Sequence, residues 1–396
     1  PLKLLLLTST LLMCDGCSTI SESQSYLLSQ QVSHYGISAD LWLLNTPTSD
    51  GLLPFGYDPE LGRFHYSSVG LDQFHAANRL NRLAEQRARF QGPAQRLVAA
   101  IAHNREELSL ARLLRKDESG ALSRNDALWL QVLISQYRWA PSESLERNIN
   151  RRASILRQDL REKLEASFST AVTPLASSQT LEGTGLQDGP PLDRLTITQT
   201  ALTLLEHGQT LKDLISLKAA GTALSKLSEF DRKRQETDAE PLSLAWQALA
   251  IAKHHAITSD AEQITRLFQI TDQLMKLQSN SDFPGRFESR NRKLHGQPNA
   301  VRDALSTLAL LQSLEIAAQR KNSLKARKLR AAIWLALDNL RALQYDHGKI
   351  DAFKKPLEAV GAIRLTHNRA RIRLLGVVLG AETFEKAAAL IGAGVL

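Results

Sequence analysis

Cysteine is nearly absent from this sequence: of its 396 residues, only Cys14 and Cys17 carry a thiol. Residues 18–396 therefore form no disulfide with one another, and thiol catalysis and cysteine-ligated zinc sites are excluded from them. Long apolar runs are missing as well, because nothing after the opening segment stays apolar for the roughly 18 residues that suggest a membrane-spanning helix. The remaining composition, 43% hydrophobic and 23% charged, is typical of a globular chain with one large domain or two medium ones.

The short motifs that most directly identify an enzyme are also missing. The sequence contains no G-x-S-x-G elbow, no Walker loop, no H-E-x-x-H zinc motif and no G-x-G-x-x-G dinucleotide motif. Its histidines are scattered, and the adjacent pair His254 and His255 cannot face one metal ion from a single helical turn. The sequence therefore predicts no metal and no cofactor, and it leaves open whether the protein is an enzyme.

What the sequence does contain begins with "PLKLLLLTSTLLMCDGCSTI". Lys3 precedes a mostly apolar run from Leu4 to Met13, which is too short to cross a bilayer, since that takes about 20 residues. A short apolar run behind a positive charge is typical of a secretory signal peptide. A buried N-terminal helix is the alternative interpretation.

The two cysteines sharpen this prediction. The stretch Gly16-Cys17-Ser18 resembles the cleavage box of bacterial lipoproteins, in which a small residue precedes the cysteine that is lipidated. The resemblance implies a lipid anchor on Cys17 and, from Ser18, an outer-membrane lipoprotein of the cell envelope that faces the periplasm. Cys14 is a second candidate, and Asp15 after it would imply the inner membrane. The sequence does not decide between the two cysteines.

Helical periodicity dominates the rest of the chain, while strand alternation is not sustained. We predict an all-α protein of about a dozen helices. The expected division is a signal segment at 1–17, a helical region at 18–172, a Ser/Thr/Gly/Pro-rich linker at 173–193 and a basic helical region at 194–396.

Two loops repeat the tripeptide Gly-Arg-Phe before helix pairs, and we call them the GRF loops. The first is "FGYDPELGRFHYSS" and the second is "DFPGRFESRNRKLHG". Repeated antiparallel helix hairpins joined by such loops predict an α/α toroid or a helical solenoid. At this level the sequence is similar to the six-hairpin α/α-toroid proteins, a resemblance that implies action on carbohydrates.

The GRF loops also hold the densest sets of polar and aromatic side chains. If a toroid brings both loops to one rim, their carboxylates could flank a sugar, as glycoside hydrolysis requires. The alternative is that each loop is a tight turn with a core phenylalanine, in which aspartate only starts the turn. The candidate catalytic residues are Asp58, Glu60, Asp282 and Glu288, and the candidate substrate-binding residues are Tyr57, Arg63, His65, Phe283 and Arg286.

Positive charge is concentrated late in the chain. Residues 286–373 hold 19 lysines and arginines against 7 acidic residues, whereas the whole chain holds 49 against 41. Such clusters attract polyanions, although a solvated helix face is the plainer interpretation. We predict one cationic surface formed by Lys321, Lys325, Lys328, Arg369, Arg371 and Arg373.

Two functions follow from these patterns. The first is a lipid-anchored envelope protein that binds an anionic component, such as an acidic polysaccharide or a lipid headgroup. The second is a toroidal carbohydrate-active enzyme that resembles glycoside hydrolases. Nucleic acid is disfavoured as the polyanion because export would remove the protein from it, and protein partners and oligomeric state are left open.

Overall fold

The computed structural model describes residues 22–66, 70–115, 124–169, 194–234, 240–279, 284–288, 299–346, 353–366 and 369–396. These residues contain twelve α-helices, none of them long and apolar enough to cross a membrane. The helices are α1 (Glu22–Asn45), α2 (Leu71–Gln86), α3 (Gln91–Arg115), α4 (Arg124–Trp139), α5 (Glu143–Ser169), α6 (Arg194–Leu211), α7 (Leu214–Arg234), α8 (Pro241–Thr258), α9 (Ala261–Lys276), α10 (Asn299–Gln319), α11 (Ser323–Leu343) and α12 (Leu374–Gly392).

The even-numbered helices form a closed inner ring. Each packs against the next, from α2 through α4, α6, α8 and α10 to α12, and α12 packs against α2. The odd-numbered helices lie outside, each against an inner partner, with α1 against α12. The predicted all-α toroid of helix hairpins is therefore confirmed, and the open solenoid is not what forms. Both predicted helical regions contribute hairpins to this ring, while residues 173–193 lie outside the described residues.

A buried charge network joins the first and last elements where the ring closes. Arg79 of α2 donates to both carboxylate oxygens of Asp40 on α1, at 2.9 and 2.7 Å, and also pairs with Glu385 on α12. The Arg79 and Asp40 side chains are only 4% and 5% exposed. Removing one partner of such a buried pair typically costs about 3–5 kcal/mol, because it strands the other charge.

The connections divide the ring into two distinct ends. Short turns follow the inner helices, and three of them place a residue in the left-handed conformation: Lys212 (φ 56°), Ser259 (φ 58°) and Lys321 (φ 54°). Longer connections precede the inner helices, including residues 46–70 and 344–373. We call the end where the inner helices begin the loop end, and the opposite end the turn end.

A small antiparallel sheet at the loop end joins two of these long connections. Its strands are β1 (Gly56–Asp58), β2 (Arg63–His65), β3 (Arg364–Thr366) and β4 (Arg369–Arg373), in the order β2-β1-β4-β3. Tyr57 lies opposite Phe64 in one pair and opposite Ile372 in the other. The strands are too short to show alternation in the sequence, so only their loop character was predictable.

Candidate functional site

The first GRF loop is a tight turn built on buried side chains. Gly62 takes a left-handed φ of 61°, a conformation that favours glycine. Tyr57 is 1% exposed, its ring centroid lies 4.5 Å from that of Phe64, and its hydroxyl donates to the Lys355 carbonyl at 3.3 Å. Burial beside Glu358 raises the pKa of Tyr57. The prediction that Tyr57 contacts substrate is wrong in this structure, because its ring is in the core.

Asp58, a predicted catalytic residue, serves the turn instead. Its Oδ1 accepts hydrogen bonds from the backbone N–H groups of Glu60 at 3.1 Å and Leu61 at 3.2 Å. Its Oδ2 lies 3.3 Å from Nε of Arg371. With both oxygens engaged and 4% exposure, Asp58 matches the turn alternative. Glu60, Arg63 and His65 are exposed on the same loop, and their predicted roles remain predictions.

The second GRF loop is also a turn. Gly285 has a φ of 89°, and Phe287 is fully buried with its backbone N–H donating to Oδ1 of Asp303 at 2.9 Å. Arg286 pairs with Glu288 at 2.5 Å, so these two predicted residues neutralise each other. The other two predicted residues of this loop, Asp282 and Phe283, lie outside the described residues.

Asp303 on α10 holds the second GRF loop in place. It is fully buried, and its Oδ2 accepts from Nδ2 of Asn339 at 2.8 Å. Burial raises the pKa of Asp303 to about 7, although the Phe287 N–H, the Asn339 amide, Arg302 and Arg286 act in the opposite direction. Sequence reasoning missed Asp303 because an aspartate inside a helix looks like a surface residue.

Because both GRF loops precede inner helices, both lie at the loop end, as a toroid requires. The predicted single cationic surface is wrong, however. Lys321 and Lys328 flank the start of α11 at the turn end, whereas Arg371 and Arg373 are in β4 at the loop end. The 21 residues of α11 separate the two groups by about 30 Å, at roughly 1.5 Å per residue.

Several of these cations are also engaged inside the protein. Nζ of Lys325 lies 2.9 Å from Asp272 and donates to the Phe268 carbonyl at 2.9 Å, so this side chain is buried and not on an open stripe. Arg373 binds the buried Asp72 through two hydrogen bonds, at 3.0 and 3.1 Å. The backbone of Arg369 belongs to β4, but its side chain lies outside the described part of the structure. Charge counting could not reveal these pairings, because their partners are distant in sequence.

The most distinctive polar site lies in the lumen, the space enclosed by the inner helices. His75 on α2 stacks on Trp246 of α8, with ring centroids 5.6 Å apart and an interplanar angle of 27°. Since α2 and α8 are on opposite sides of the ring, this pair spans the lumen. Nε2 of His75 is buried and has no hydrogen-bond partner among the described residues.

Two arginines lie at the starts of inner helices, around the opening of the lumen at the loop end, which we call the mouth. Arg124, the first residue of α4, donates through Nε to Oε1 of Gln199 on α6. Arg302, in the first turn of α10, lies 3.7 Å from Glu240, which immediately precedes α8. Arg124 and Arg302 therefore place guanidinium groups at the loop end of the inner ring, each bound by a side chain of a neighbouring element.

Arg124 and a second arginine of the inner ring, Arg82 on α2, influence the histidine. Burial, with Arg124 and Arg82 nearby, lowers the pKa of His75 to about 3. The imidazole is therefore neutral at physiological pH, with one ring nitrogen free to accept or donate depending on its tautomer. A neutral, unsatisfied histidine beside arginines is a suitable partner for the hydroxyl groups of an anionic ligand.

Further polar atoms in the inner ring lack a partner among the described residues. They include Nε2 of Gln199 and Oγ of Ser306. Buried polar atoms are normally hydrogen-bonded, so such a group suggests water or a ligand. Sequence reasoning missed Trp246, Gln199 and Ser306, because residues on opposite helices show no common spacing. The described residues contain no cluster of three or more His, Cys, Asp or Glu suited to a metal ion.

A second concavity lies outside the ring. It has a volume of about 990 Å³ and is bordered by α1, the end of α11 and the connection that follows α11. Its lining includes Trp42, Phe64, Tyr345 and Arg341. Trp42 and Tyr345 are 4% and 5% exposed, compared with 8% for Trp246 in the lumen, so this concavity offers no more aromatic ring face than the lumen does.

Comparison with solved structures supports the fold. An unsaturated glucuronyl hydrolase specific for heparin superposes with a TM-score of 0.62 at 13% identity, covering 91% of this chain and 98% of that chain. The α-1,6-mannanase GH76A of Salegentibacter sp. HEL1_6 gives a TM-score of 0.57 at 10% identity, covering 91% and 99%. An unsaturated glucuronyl hydrolase from Streptococcus agalactiae gives 0.58 at 12% identity, covering 94% and 97%.

These similar structures are α/α-toroid glycoside hydrolases. At identities this low, the likeness establishes only that this chain has the same fold. No protein-family model matches the chain. No curated protein matches its sequence.

Proposed function

We propose that this protein is a carbohydrate-active toroid that binds an acidic glycan at the loop end of its lumen. The observation that carries the proposal is the His75–Trp246 stack across the lumen, with the guanidinium groups of Arg124 and Arg302 at the loop end of the same ring. The similar structures include enzymes named for glucuronyl substrates, for heparin and for α-1,6-mannan, which supports a glycan as the ligand.

The chemistry of the site fits a glycan with carboxylates or sulfates. A guanidinium is planar and binds carboxylates through paired hydrogen bonds, so arginine suits a uronate better than a neutral hexose. Sugar rings present apolar C–H faces, and these pack on an indole. Sugar hydroxyls would satisfy Nε2 of His75 and Nε2 of Gln199, the residue whose Oε1 accepts from Arg124.

Glycoside hydrolysis is a second candidate function, favoured by one further observation. Glu240 supplies a partly exposed carboxylate at the lumen mouth, beside Arg302. Hydrolysis needs a second carboxyl group about 5–10 Å away. Asp72, at the start of α2, is buried and bound by Arg373, so it is a poor choice for that role while this pair is intact.

The binding proposal is tested with heparin oligosaccharides in isothermal titration calorimetry. We expect Trp246→Ala to weaken binding at least about tenfold, which corresponds to about 1.4 kcal/mol. Trp334→Ala on the outer helix α11 is the matched control and should retain the parent affinity. Neutral α-1,6-mannan should bind more weakly than heparin. The proposal fails if the parent binds no acidic glycan, or if both tryptophan variants bind like the parent.

Hydrolysis is measured separately as the release of reducing ends from the same oligosaccharides. Glu240→Gln should abolish release and leave glycan binding within about threefold of the parent, because a neutral amide keeps the shape of the mouth. If the parent binds the glycan but releases no reducing ends, the protein is a glycan-binding toroid and the second candidate is rejected.

We further propose that the protein is attached to the cell envelope through a lipid on Cys17, with the outer membrane as its location. The Lys3-flanked apolar run and the Gly16-Cys17-Ser18 box support this proposal. These residues lie outside the described part of the chain, so the support comes from sequence alone.

A further inference from the structure

Exposed apolar side chains occur at the starts of several outer helices at the turn end, including Leu214 and Ile215 of α7, and one group lies on the neighbouring helices α1 and α11. Tyr26 and Leu27, near the start of α1, are 64% and 61% exposed, and Leu324, in the first turn of α11, is 67% exposed. All three lie within the first two turns of outer helices, which begin at the turn end. Single exposed apolar residues are ordinary, so the question is whether these three share one surface.

Contacts of the last helix bring them together. Oγ of Ser29 on α1 donates to the carbonyl of Ala388 near the end of α12, at 2.9 Å. Nε of Arg330 on α11 donates to the carbonyl of Val395, just beyond α12, at 2.8 Å. The end of α12 therefore lies between the start of α1 and the start of α11, and the exposed apolar residues border it on both sides.

Positive charge surrounds the same sector. Arg320, Lys321 and Lys328 are exposed around the α10–α11 turn, and Arg87 and Arg89 are exposed in the turn after α2, the next inner helix along the ring. The nearby acidic residues Glu382 and Glu385 are paired with Arg82 and Arg79, and Asp272 is paired with Lys325, while Glu85 is exposed among the described residues of this sector. We define the docking face as Tyr26, Leu27, Arg87, Arg89, Arg320, Lys321, Leu324 and Lys328.

We infer that the docking face binds the surface of a lipid bilayer that contains anionic headgroups. Exposed leucine and tyrosine beside cations match an interface that offers both an acyl boundary and negative charge. A hydrophilic polysaccharide would pair with the cations but would leave the leucines without a partner. A membrane is also favoured by the chain itself, because α1 starts at this end and is preceded in sequence by the Lys3-flanked apolar run.

The inference extends the proposed membrane attachment and gives it an orientation. With the turn end on the bilayer, the loop end and the mouth of the lumen point away from it. A lipid on Cys17 would enter the bilayer only five residues before α1, next to the docking face. The lipid and the face would thus supply the two signals that stable membrane attachment needs, since one acyl chain gives only marginal binding.

The test uses the full chain with Cys14→Ala and Cys17→Ala, so that lipidation cannot contribute. Vesicles of phosphatidylcholine alone, or with phosphatidylglycerol, are pelleted and the bound fraction is measured. The first variant carries Lys321→Glu, Leu324→Glu and Lys328→Glu. The matched control carries Lys354→Glu, Lys355→Glu and Leu357→Glu, which changes two exposed lysines and an exposed leucine at the loop end.

We expect the parent to prefer vesicles with phosphatidylglycerol and to lose at least tenfold in partitioning in the first variant. The control should stay within about twofold of the parent. Raising salt should weaken binding, because the Debye length falls from about 10 Å at 0.1 M to about 3 Å at 1 M. Thermal unfolding of both variants should stay close to that of the parent, since exposed charges, including the exposed Lys355–Glu358 ion pair, contribute little to stability.

Equal partitioning of the two variants overturns the inference, and so does a parent that binds neutral vesicles equally well. If the first variant loses heparin binding but keeps vesicle binding, the face is a glycan site and the inference is wrong. Because fatty-acid labelling and lumen binding are measured on other residues, failure here is distinct from failure of the proposed anchor or of the proposed glycan site.

Discussion

Asp303 makes the stability of this fold depend on pH in a predictable way. Burial raises its pKa from 3.8 to about 7. Between these values the folded protein holds a proton that the unfolded chain has released, so the free energy of unfolding falls as pH rises. The difference is about three pKa units at about 1.4 kcal/mol each, or about 4 kcal/mol in total.

His75 acts with the opposite sign. Its pKa is lowered from 6.5 to about 3, so the unfolded chain takes up a proton that the folded protein refuses. The stability associated with His75 is present above pH 6.5 and is lost as pH falls toward 3. Between about pH 4 and 6.5 the contributions of Asp303 and His75 should therefore largely cancel, because each has a limiting slope of about 1.4 kcal/mol per pH unit.

Asp303→Asn separates the two effects. The amide can still accept from the Phe287 N–H, and Asn339 can turn its own carbonyl oxygen toward the new amide. Relative to the parent, the variant should gain about 3 kcal/mol of stability between pH 4 and 6.5, because the slope of His75 is no longer opposed. His75→Phe, which retains a ring against Trp246, should show the reverse dependence on pH.

The measurement is urea unfolding followed by circular dichroism at half-unit steps from pH 4 to 8. The control is the double variant that carries both Asp303→Asn and His75→Phe. In its curve of unfolding free energy against pH, the contributions of these two residues should vanish. Groups other than Asp303 and His75 titrate as well, but they affect all four proteins alike and cancel in the differences. Curves for the parent and Asp303→Asn that run parallel across this range would refute the argument.

Two further predictions concern the second GRF loop and the lipid anchor. Gly285→Ala would place a Cβ 2.0 Å from the Leu335 carbonyl oxygen at a φ of 89°, so we expect a loss of about 2 kcal/mol or more in urea unfolding. Gly394→Ala, with a φ of 67° but open space around it, should lose about 1 kcal/mol, and equal losses would argue against the clash. If the proposed anchor is correct, the parent expressed in a Gram-negative host with residues 1–17 present should incorporate labelled fatty acid, and Cys17→Ala should not. If labelling persists in Cys17→Ala but is lost in Cys14→Ala, the lipid is attached to Cys14. If neither the parent nor the two variants are labelled, the proposed lipid anchor is rejected.

Much of the fold was predictable from the sequence. Helical periodicity depends on residues three and four positions apart, which the sequence shows directly. The hairpins then follow from the order of the helices along the chain. The GRF loops were recognisable as loops because glycine, proline and aspartate determine turns locally. The same local rules correctly offered a turn as the alternative role for Asp58.

Only the tertiary structure decided which polar residues are available for function. Tyr57, Asp58 and Lys325 looked accessible, but each is buried against partners that follow elsewhere in the chain. Closing the ring brought His75 and Trp246 together across the lumen, and it placed Lys321 and Arg371 at opposite ends of the molecule. Sequence alone determined the helices, because their hydrogen bonds are local. Closure determined the site, because its contacts join residues that no short-range pattern connects.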